Sequence, residues 1–254
     1  MKSTVILGLI IIFMLTTSNA FAVEPIMITI SPDMNKIIFD GKWTFYTEWK
    51  RSSLLQVFDN TAELRIAHQG NFIYVMIDAL GFTKFNNNSD KSTICFDTKD
   101  TKSIKPNAGD YCFIATLGSN QTIVLQGGSD LASTNYYKKI IVPPGVIGVG
   151  GISDQNDRYT TTPHETYEFR IPTDLVGRSD KYGFYLEVQN SNKIYSWPPQ
   201  NSTLNISEIS NPNTWGEVIS PDKSLPEFPV PLVSLVVGFS VLIYLNNKKS
   251  ILFR

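Results

Sequence analysis

The chain has 254 residues, with 22 Lys+Arg against 23 Asp+Glu and a formal net charge of −1. That balance excludes the basic excess of a nucleic-acid-binding domain, and a 42% hydrophobic share excludes wholesale disorder. Two Cys and two His are too few for a multi-disulfide scaffold or a Cys/His zinc cluster. Residues 1–22 read as a secretory signal peptide, the other reading being a retained N-terminal anchor. Lys2 supplies the positive start, Val5 to Leu15 is an uncharged apolar run, and Ala20-Phe21-Ala22 offers small residues where a signal peptidase cuts. The run is too short to span a bilayer.

From residue 23 the pattern is that of strands. Ala62–Ala67 alternates, with Leu64 and Ile66 on one face, and Phe72–Asp78 is dense in β-formers. Gln69-Gly70-Asn71 between them is a hairpin connection. Further strands are predicted at 92–97, 111–117, 121–126, 167–171, 182–188 and 193–197. Residues 171–177 read as a single helical turn with a terminal Gly. No run of ten or more residues has amphipathic helical spacing, and there is no internal repeat. Many short strands separated by Gly, Asn, Asp and Pro turns predict one antiparallel β-sandwich over residues 23–219.

Cys95 and Cys112 lie on two predicted strands that flank a polar loop, and an exported compartment lets them pair. Closing a loop of that length stabilises by about 3 kcal/mol in the chain-entropy model. Two separate buried thiols are the other reading. Asn87, Asn120, Asn201 and Asn205 each begin an Asn-x-Ser/Thr sequon in a predicted loop, which suits glycosylation outside the cell.

Residues 220–229 are a Pro-rich stalk, and 230–245 are 16 almost wholly apolar residues followed by a basic tail, 246–254, with Lys248, Lys249 and Arg254. The apolar run predicts one C-terminal transmembrane helix, with its positive flank in the cytoplasm. Signal peptide plus stop segment gives a single-pass cell-membrane protein whose sandwich faces outward. Pro226-Glu227-Phe228, the apolar run and the basic tail together resemble the archaeal PEF-type C-terminal sorting signal. That resemblance implies cleavage near Glu227 and a lipid link, whereas a plain anchor explains the same residues. Residues 23–229 hold 18 basic and 23 acidic side chains, a net charge of −5 that disfavours polyanionic partners.

The order of motifs across residues 36–219 resembles family 9 carbohydrate-binding modules and their DOMON-like relatives. The motifs are Ile38-Phe-Asp-Gly-Lys-Trp43 with Glu48-Trp49; Phe72–Asp78; Ile94-Cys-Phe-Asp97 with Gly109-Asp-Tyr-Cys-Phe113; Thr166-Tyr-Glu-Phe-Arg-Ile-Pro172; and Ser196-Trp-Pro198 with Asn211-Pro-Asn-Thr-Trp-Gly216. The resemblance implies a two-sheet sandwich that binds sugars without cleaving them, with a polysaccharide or surface glycan as partner. A pyranose offers an apolar C–H face to aromatic rings and a hydroxyl rim to polar side chains. Tyr136, Tyr137, Arg158 and Tyr159 in predicted loops, and Trp197 at a strand end, are the candidate ligand contacts. Members of the family can hold structural Ca2+, and Asp97, Asp100 and Asp110 are the candidate ligands, solvated turn residues being the other reading of the same acids. The resemblance to DOMON-type haem domains implies a His/Met or His/His axial pair, for which His68, His164, Met76 and Met27 are the candidate donors, with His68 and Met76 flanking one hairpin. A structural envelope or adhesion protein is the third expectation. A glycosidase would need two facing carboxylates; Glu48, Asp78, Glu168 and Glu187 lie on or near predicted strands, but the sequence places no two of them face to face, and no nucleophile or metalloprotease motif is present. The exported region is expected to be a monomer without catalysis.

Overall fold

All eight strands predicted from alternation and β-branched runs are present in the computed structural model, which describes residues 23–191, 193–200 and 209–220. In chain order the strands are β1 (Ile26–Met27), β2 (Thr29–Ile30), β3 (Leu55–Val57), β4 (Ala62–Gln69), β5 (Phe72–Ala79), β6 (Lys91–Asp97) and β7 (Asp110–Thr116). They continue with β8 (Thr122–Gln126), β9 (Lys138–Ile140), β10 (Ile147–Ile152), β11 (Glu165–Pro172), β12 (Lys181–Asn190), β13 (Lys193–Trp197) and β14 (Gly216–Ile219). The predicted helical turn is Thr173–Val176, closed by Gly177 at φ 73°. The predicted signal peptide, residues 221–229 of the stalk, the apolar segment, the basic tail, Asn201 and Asn205 lie outside the described residues. Among the described residues no helix is long and apolar enough to cross a membrane.

The strands form two sheets. The eight-stranded sheet runs β1-β14-β12-β6-β7-β8-β9, with β13 also on β12. The six-stranded sheet runs β10-β11-β5-β4-β2, with β3 also on β4. Pairing is antiparallel except where β1 meets β14 and β2 meets β4. Because side chains alternate along a strand, one row from each sheet faces the other. Ile66, Val75, Ile77, Tyr167 and Phe169 meet Ile94, Phe96, Phe113, Phe184 and Leu186 in one buried cluster. The architecture is thus an antiparallel β-sandwich.

The strands that periodicity does not reveal are short or glycine-rich. β10 reads Ile-Gly-Val-Gly-Gly-Ile, poor in β-formers. It is held by full pairing with β11 and by the opposite sheet, where Gly118 N–H donates to Gly150 O at 2.9 Å. A Cβ on Gly150 would sit 2.9 Å from the Thr116 carbonyl and the Tyr167 ring, so only glycine lets the sheets approach here.

Cys95 and Cys112 face each other directly across β6 and β7 and form a disulfide. It lies on the outer side of the eight-stranded sheet, buried with Tyr137, Tyr185 and Trp215. The closed loop spans a sequence separation of 17. The double variant Cys95→Ala/Cys112→Ala is expected to lose about 3 kcal/mol in urea unfolding. An unchanged unfolding midpoint would show that packing alone fixes this pair of strands.

Candidate functional site

The outer face of the six-stranded sheet is polar in sequence yet buried. Alternation places Glu63 and Arg65 of β4, Tyr74, Met76 and Asp78 of β5, and Thr166, Glu168 and Arg170 of β11 on this side. Segment 31–54 and loop 153–164 cover it. The cover is fastened by Glu168: Oε2 accepts the N–H groups of Asp40 (3.0 Å) and Gly41 (2.7 Å), and Oε1 accepts Trp49 Nε1–H (2.9 Å). Burial pushes the Glu168 carboxyl well above its usual range, against the pull of the Gly41 and Trp49 donors. Glu48, also buried, accepts the N–H groups of Ile38 (2.8 Å) and Thr44 (2.7 Å) and so shapes the same segment. Gly41, at φ 75°, lies so close to the backbone of β10 that a Cβ would sit 2.4 Å from Gly151 N. The motif Asp40-Gly-Lys-Trp43 … Glu48-Trp49 is therefore a latch, with both Trp rings buried beneath it.

Above the latch, aromatic rings and cations gather at the surface. The Arg65 guanidinium lies 5.2 Å from the Trp43 ring and 5.8 Å from Tyr159, whose hydroxyl it hydrogen-bonds. Trp43 and Tyr159 meet edge to face at 6.0 Å. Arg158, exposed, spans Trp43 (5.9 Å) and Tyr46 (5.6 Å). Tyr46 is 67% exposed and Tyr159 36%. Lys50 approaches the Tyr46 ring at 4.8 Å. Beside Tyr46 opens a cleft of about 500 Å³ lined by Asp33, Lys36, Phe45, Thr47, Glu48, Lys50 and Arg51. The exposed cation–ring contacts of Arg158 and Lys50 with Tyr46 are worth about 0.5–1 kcal/mol each, little enough for a ligand to displace.

Of the five ligand candidates read from the sequence, Arg158 and Tyr159 share this surface. Tyr136 is on the other side of the molecule, half-buried in the loop before β9 with Lys105 at 4.7 Å. Two candidates require correction. Tyr137 is 4% exposed and packs on the disulfide. Trp197 is 7% exposed and packs in the sandwich core, 6.0 Å from Phe184. Neither ring offers a face to a ligand, because a strand end or a loop in sequence says nothing about what folds over it. Tyr46 and Arg65 were missed. Tyr46 sits in an irregular stretch without periodicity, and Arg65 reads as an ordinary solvent-side residue of an alternating strand.

The three candidate calcium ligands do not fit a cation. Asp100 is held by Lys181 at 2.6 Å and Lys102 at 3.2 Å. Asp97 accepts the N–H groups of Lys99 and Lys102 and the Thr101 hydroxyl. Asp110 takes the Asn107 N–H at 2.6 Å. Two ammonium groups at the site and a self-capped loop leave no shell of six to eight oxygens. Asp110 Oδ1 is buried without a donor, and burial, with Asp97 opposite, pushes its carboxyl up to about 7. Asn87 and Asn120 are exposed in turns, sterically open to modification.

The haem pairing is also corrected. His68 is paired with Ile73 on the inner face of the sheet, while Met76 pairs with Arg65 on the outer face. The two cannot approach one iron from opposite sides. Met27 lies in the other sheet and His164 is enclosed by Ser153 and Asp78. Among the candidate carboxylates, Glu48 lies in the irregular cover and not on a strand; it neighbours Glu168, but both are buried and accept donors from the latch. Glu187 lies on the eight-stranded sheet, bonded to the Tyr185 hydroxyl.

No protein-family model matches the chain, and no curated protein is similar to it in sequence. Among solved structures, a carbohydrate-binding module of family 9 from Caldicellulosiruptor kristjanssonii, in complex with cellotriose, is similar at TM-score 0.49 and 12% identity over 81% of this chain and 97% of that one. A family 9 module from the same organism in complex with glucose gives TM-score 0.49 and 13% identity over 78% and 95%.

Two outcomes are expected. Glu168→Gln places an NH2 group against an N–H donor of the latch and should lower stability by roughly 1–3 kcal/mol in urea unfolding. The raised Asp110 carboxyl binds a proton in the folded protein that the unfolded chain has released, so its contribution is full below about pH 4 and is lost as pH rises through about 7. Glu165, raised to about 7 chiefly by burial, acts in the same direction. Thermal melts from pH 4 to 8 should show Asp110→Asn gaining on the wild type with rising pH, by at most about 1.4 kcal/mol per pH unit. Parallel curves would refute the assignment.

Proposed function

We propose that residues 23–229 form an exported, membrane-tethered, non-catalytic carbohydrate-binding module that faces out from the cell and contacts a polysaccharide or surface glycan. The observation that carries this reading is the surface formed by Tyr46, Arg158 and Tyr159 beside the cleft of Asp33, Thr47, Glu48, Lys50 and Arg51. An exposed ring can take the C–H face of a pyranose, and the flanking guanidinium, ammonium and carboxylate groups can take its hydroxyl rim. The order of motifs in the sequence supports the same reading. The apolar run and small-residue site in 1–22 support export. The apolar stretch 230–245 with its basic flank supports a tether, whether kept as an anchor or exchanged for lipid at Pro226-Glu227-Phe228. The net charge of −5 in the exported part fits a neutral glycan better than a polyanion. No catalytic step is assigned, because the neighbouring carboxylates are structural acceptors.

Titration calorimetry of residues 23–229 with xylan, cellulose and envelope glycans is expected to give weak binding to at least one of them. Tyr46→Ala and Tyr159→Ala should each weaken it about 5- to 10-fold, roughly 1–1.4 kcal/mol. Absence of heat at millimolar sugar, or variants that bind as the parent does, would overturn the reading.

A further inference from the structure

We infer that Asp78, Asp157 and His164 form a buried zinc site that fixes the loop carrying Arg158 and Tyr159. Donor atoms of the three side chains lie within 4.8 Å of one another, and all three side chains are fully buried. They come from separate places: Asp78 from the end of β5, Asp157 from the middle of the covering loop, and His164 from the residue before β11.

The hydrogen bonds set the orientation of the imidazole. Its Nδ1 lies 2.8 Å from the Thr162 carbonyl, which can only accept, so Nδ1 carries the hydrogen. The Ser153 hydroxyl, 2.8 Å from the same nitrogen, also receives the His164 backbone N–H at 3.0 Å. A backbone carbonyl on Nδ1–H is the arrangement that aims Nε2 at a metal. Here Nε2 faces Asp78 Oδ1 in close contact and Asp157 Oδ2 at 3.6 Å. With the hydrogen on Nδ1, a deprotonated Nε2 would turn its lone pair toward the two carboxylates, and the three groups need a positive charge between them.

Two further observations point to an ion larger than a proton. Asp78 Oδ2 and Asp157 Oδ2 are both buried and accept no hydrogen bond. A single proton on Nε2 serves Asp78 Oδ1 and leaves both of these oxygens unsatisfied. The hydroxyl of Thr166, on the residue directly across from Asp78 on β11, is also buried without a partner. Glu63, paired with Asp78 on the other side, adds negative charge, and its Oε2 is likewise unsatisfied. One imidazole nitrogen with two carboxylates suits Zn2+, which takes four N and O ligands at about 2.0–2.2 Å. Calcium, which takes six to eight oxygens, fits poorly.

Asp157 also binds the loop to itself. Its Oδ1 accepts the N–H groups of Tyr159 (2.8 Å) and Thr160 (3.1 Å). A metal on Oδ2 would therefore anchor the turn that presents Tyr159 to the surface. The site stands whether or not that surface binds sugar.

The test uses the full chain, stripped with a chelator, dialysed, reloaded with Zn2+ and analysed by mass spectrometry for bound metal and by thermal melting. One zinc per chain and a raised melting temperature are expected, with no such shift from Ca2+ or Mg2+ at the same concentration. His164→Ala and Asp157→Asn should each weaken zinc binding more than about 10-fold. Asp154→Asn, in the same loop but paired with Lys42 at the surface, should retain it. If either site variant fails to fold by circular dichroism, cobalt loaded into the wild type replaces it as the readout, and a visible d–d spectrum that Zn2+ displaces is the supporting result. Substoichiometric zinc in the wild type, full binding by a folded His164→Ala variant, or no cobalt spectrum would overturn the inference.

Discussion

The outer face of the six-stranded sheet depends on one buried carboxylate. Glu168 has only two oxygens and is offered three N–H groups, two from the backbone at Asp40 and Gly41 and one from the Trp49 indole. A strand carboxylate with water above it would be an unremarkable solvent-side residue. Covered by segment 31–54 it becomes the point to which that segment is tied, and the Gly41 N–H and the Trp49 indole N–H that it accepts are buried donors that need a partner. The constraint also explains the glycines. Gly41 and Gly151 touch backbone to backbone because the latch must lie flat enough for its N–H groups to reach Glu168.

The two outer faces solve the same burial problem differently. On the eight-stranded sheet the cover rests on a covalent link and aromatic packing: Cys95–Cys112, Tyr185 stacked on Trp215, and Tyr137. On the six-stranded sheet it rests on buried charge: Glu168, Glu48, Arg65 and the Asp78–His164–Asp157 group. Charge buried under a cover is costly unless fully paired. That cost is tolerable where it orders a surface, and only the charged side carries the exposed Tyr46, Arg158 and Tyr159.

These features form one connected series. Glu168 fixes the latch, the latch places Trp43, Trp43 and Arg65 support Tyr159, and Asp157 holds the turn on which Tyr159 and Arg158 sit. A surface assembled from two irregular segments is thereby given a rigid base without being part of a regular strand.

The eight strands that alternation and β-former runs mark were legible in the sequence, because burial of one face of a strand writes a period of two into it. The cysteine pair was legible as well, since both residues sit on strands bounding one loop. Strand β10 was not, because its glycines answer to the approach of the other sheet and not to any local preference. The candidate site was legible only in part. Loop chemistry marks Arg158 and Tyr159, which share one surface, but Trp197 and Tyr137 have the same chemistry and are interior, and the three aspartates of the disulfide loop are claimed by lysines and backbone donors. Which rings meet solvent, and which acids meet a histidine, depends on contacts between residues 78, 157 and 164 or 46 and 158. No spacing along the chain encodes those separations, so they were decided only when the covering segments folded onto the sheet.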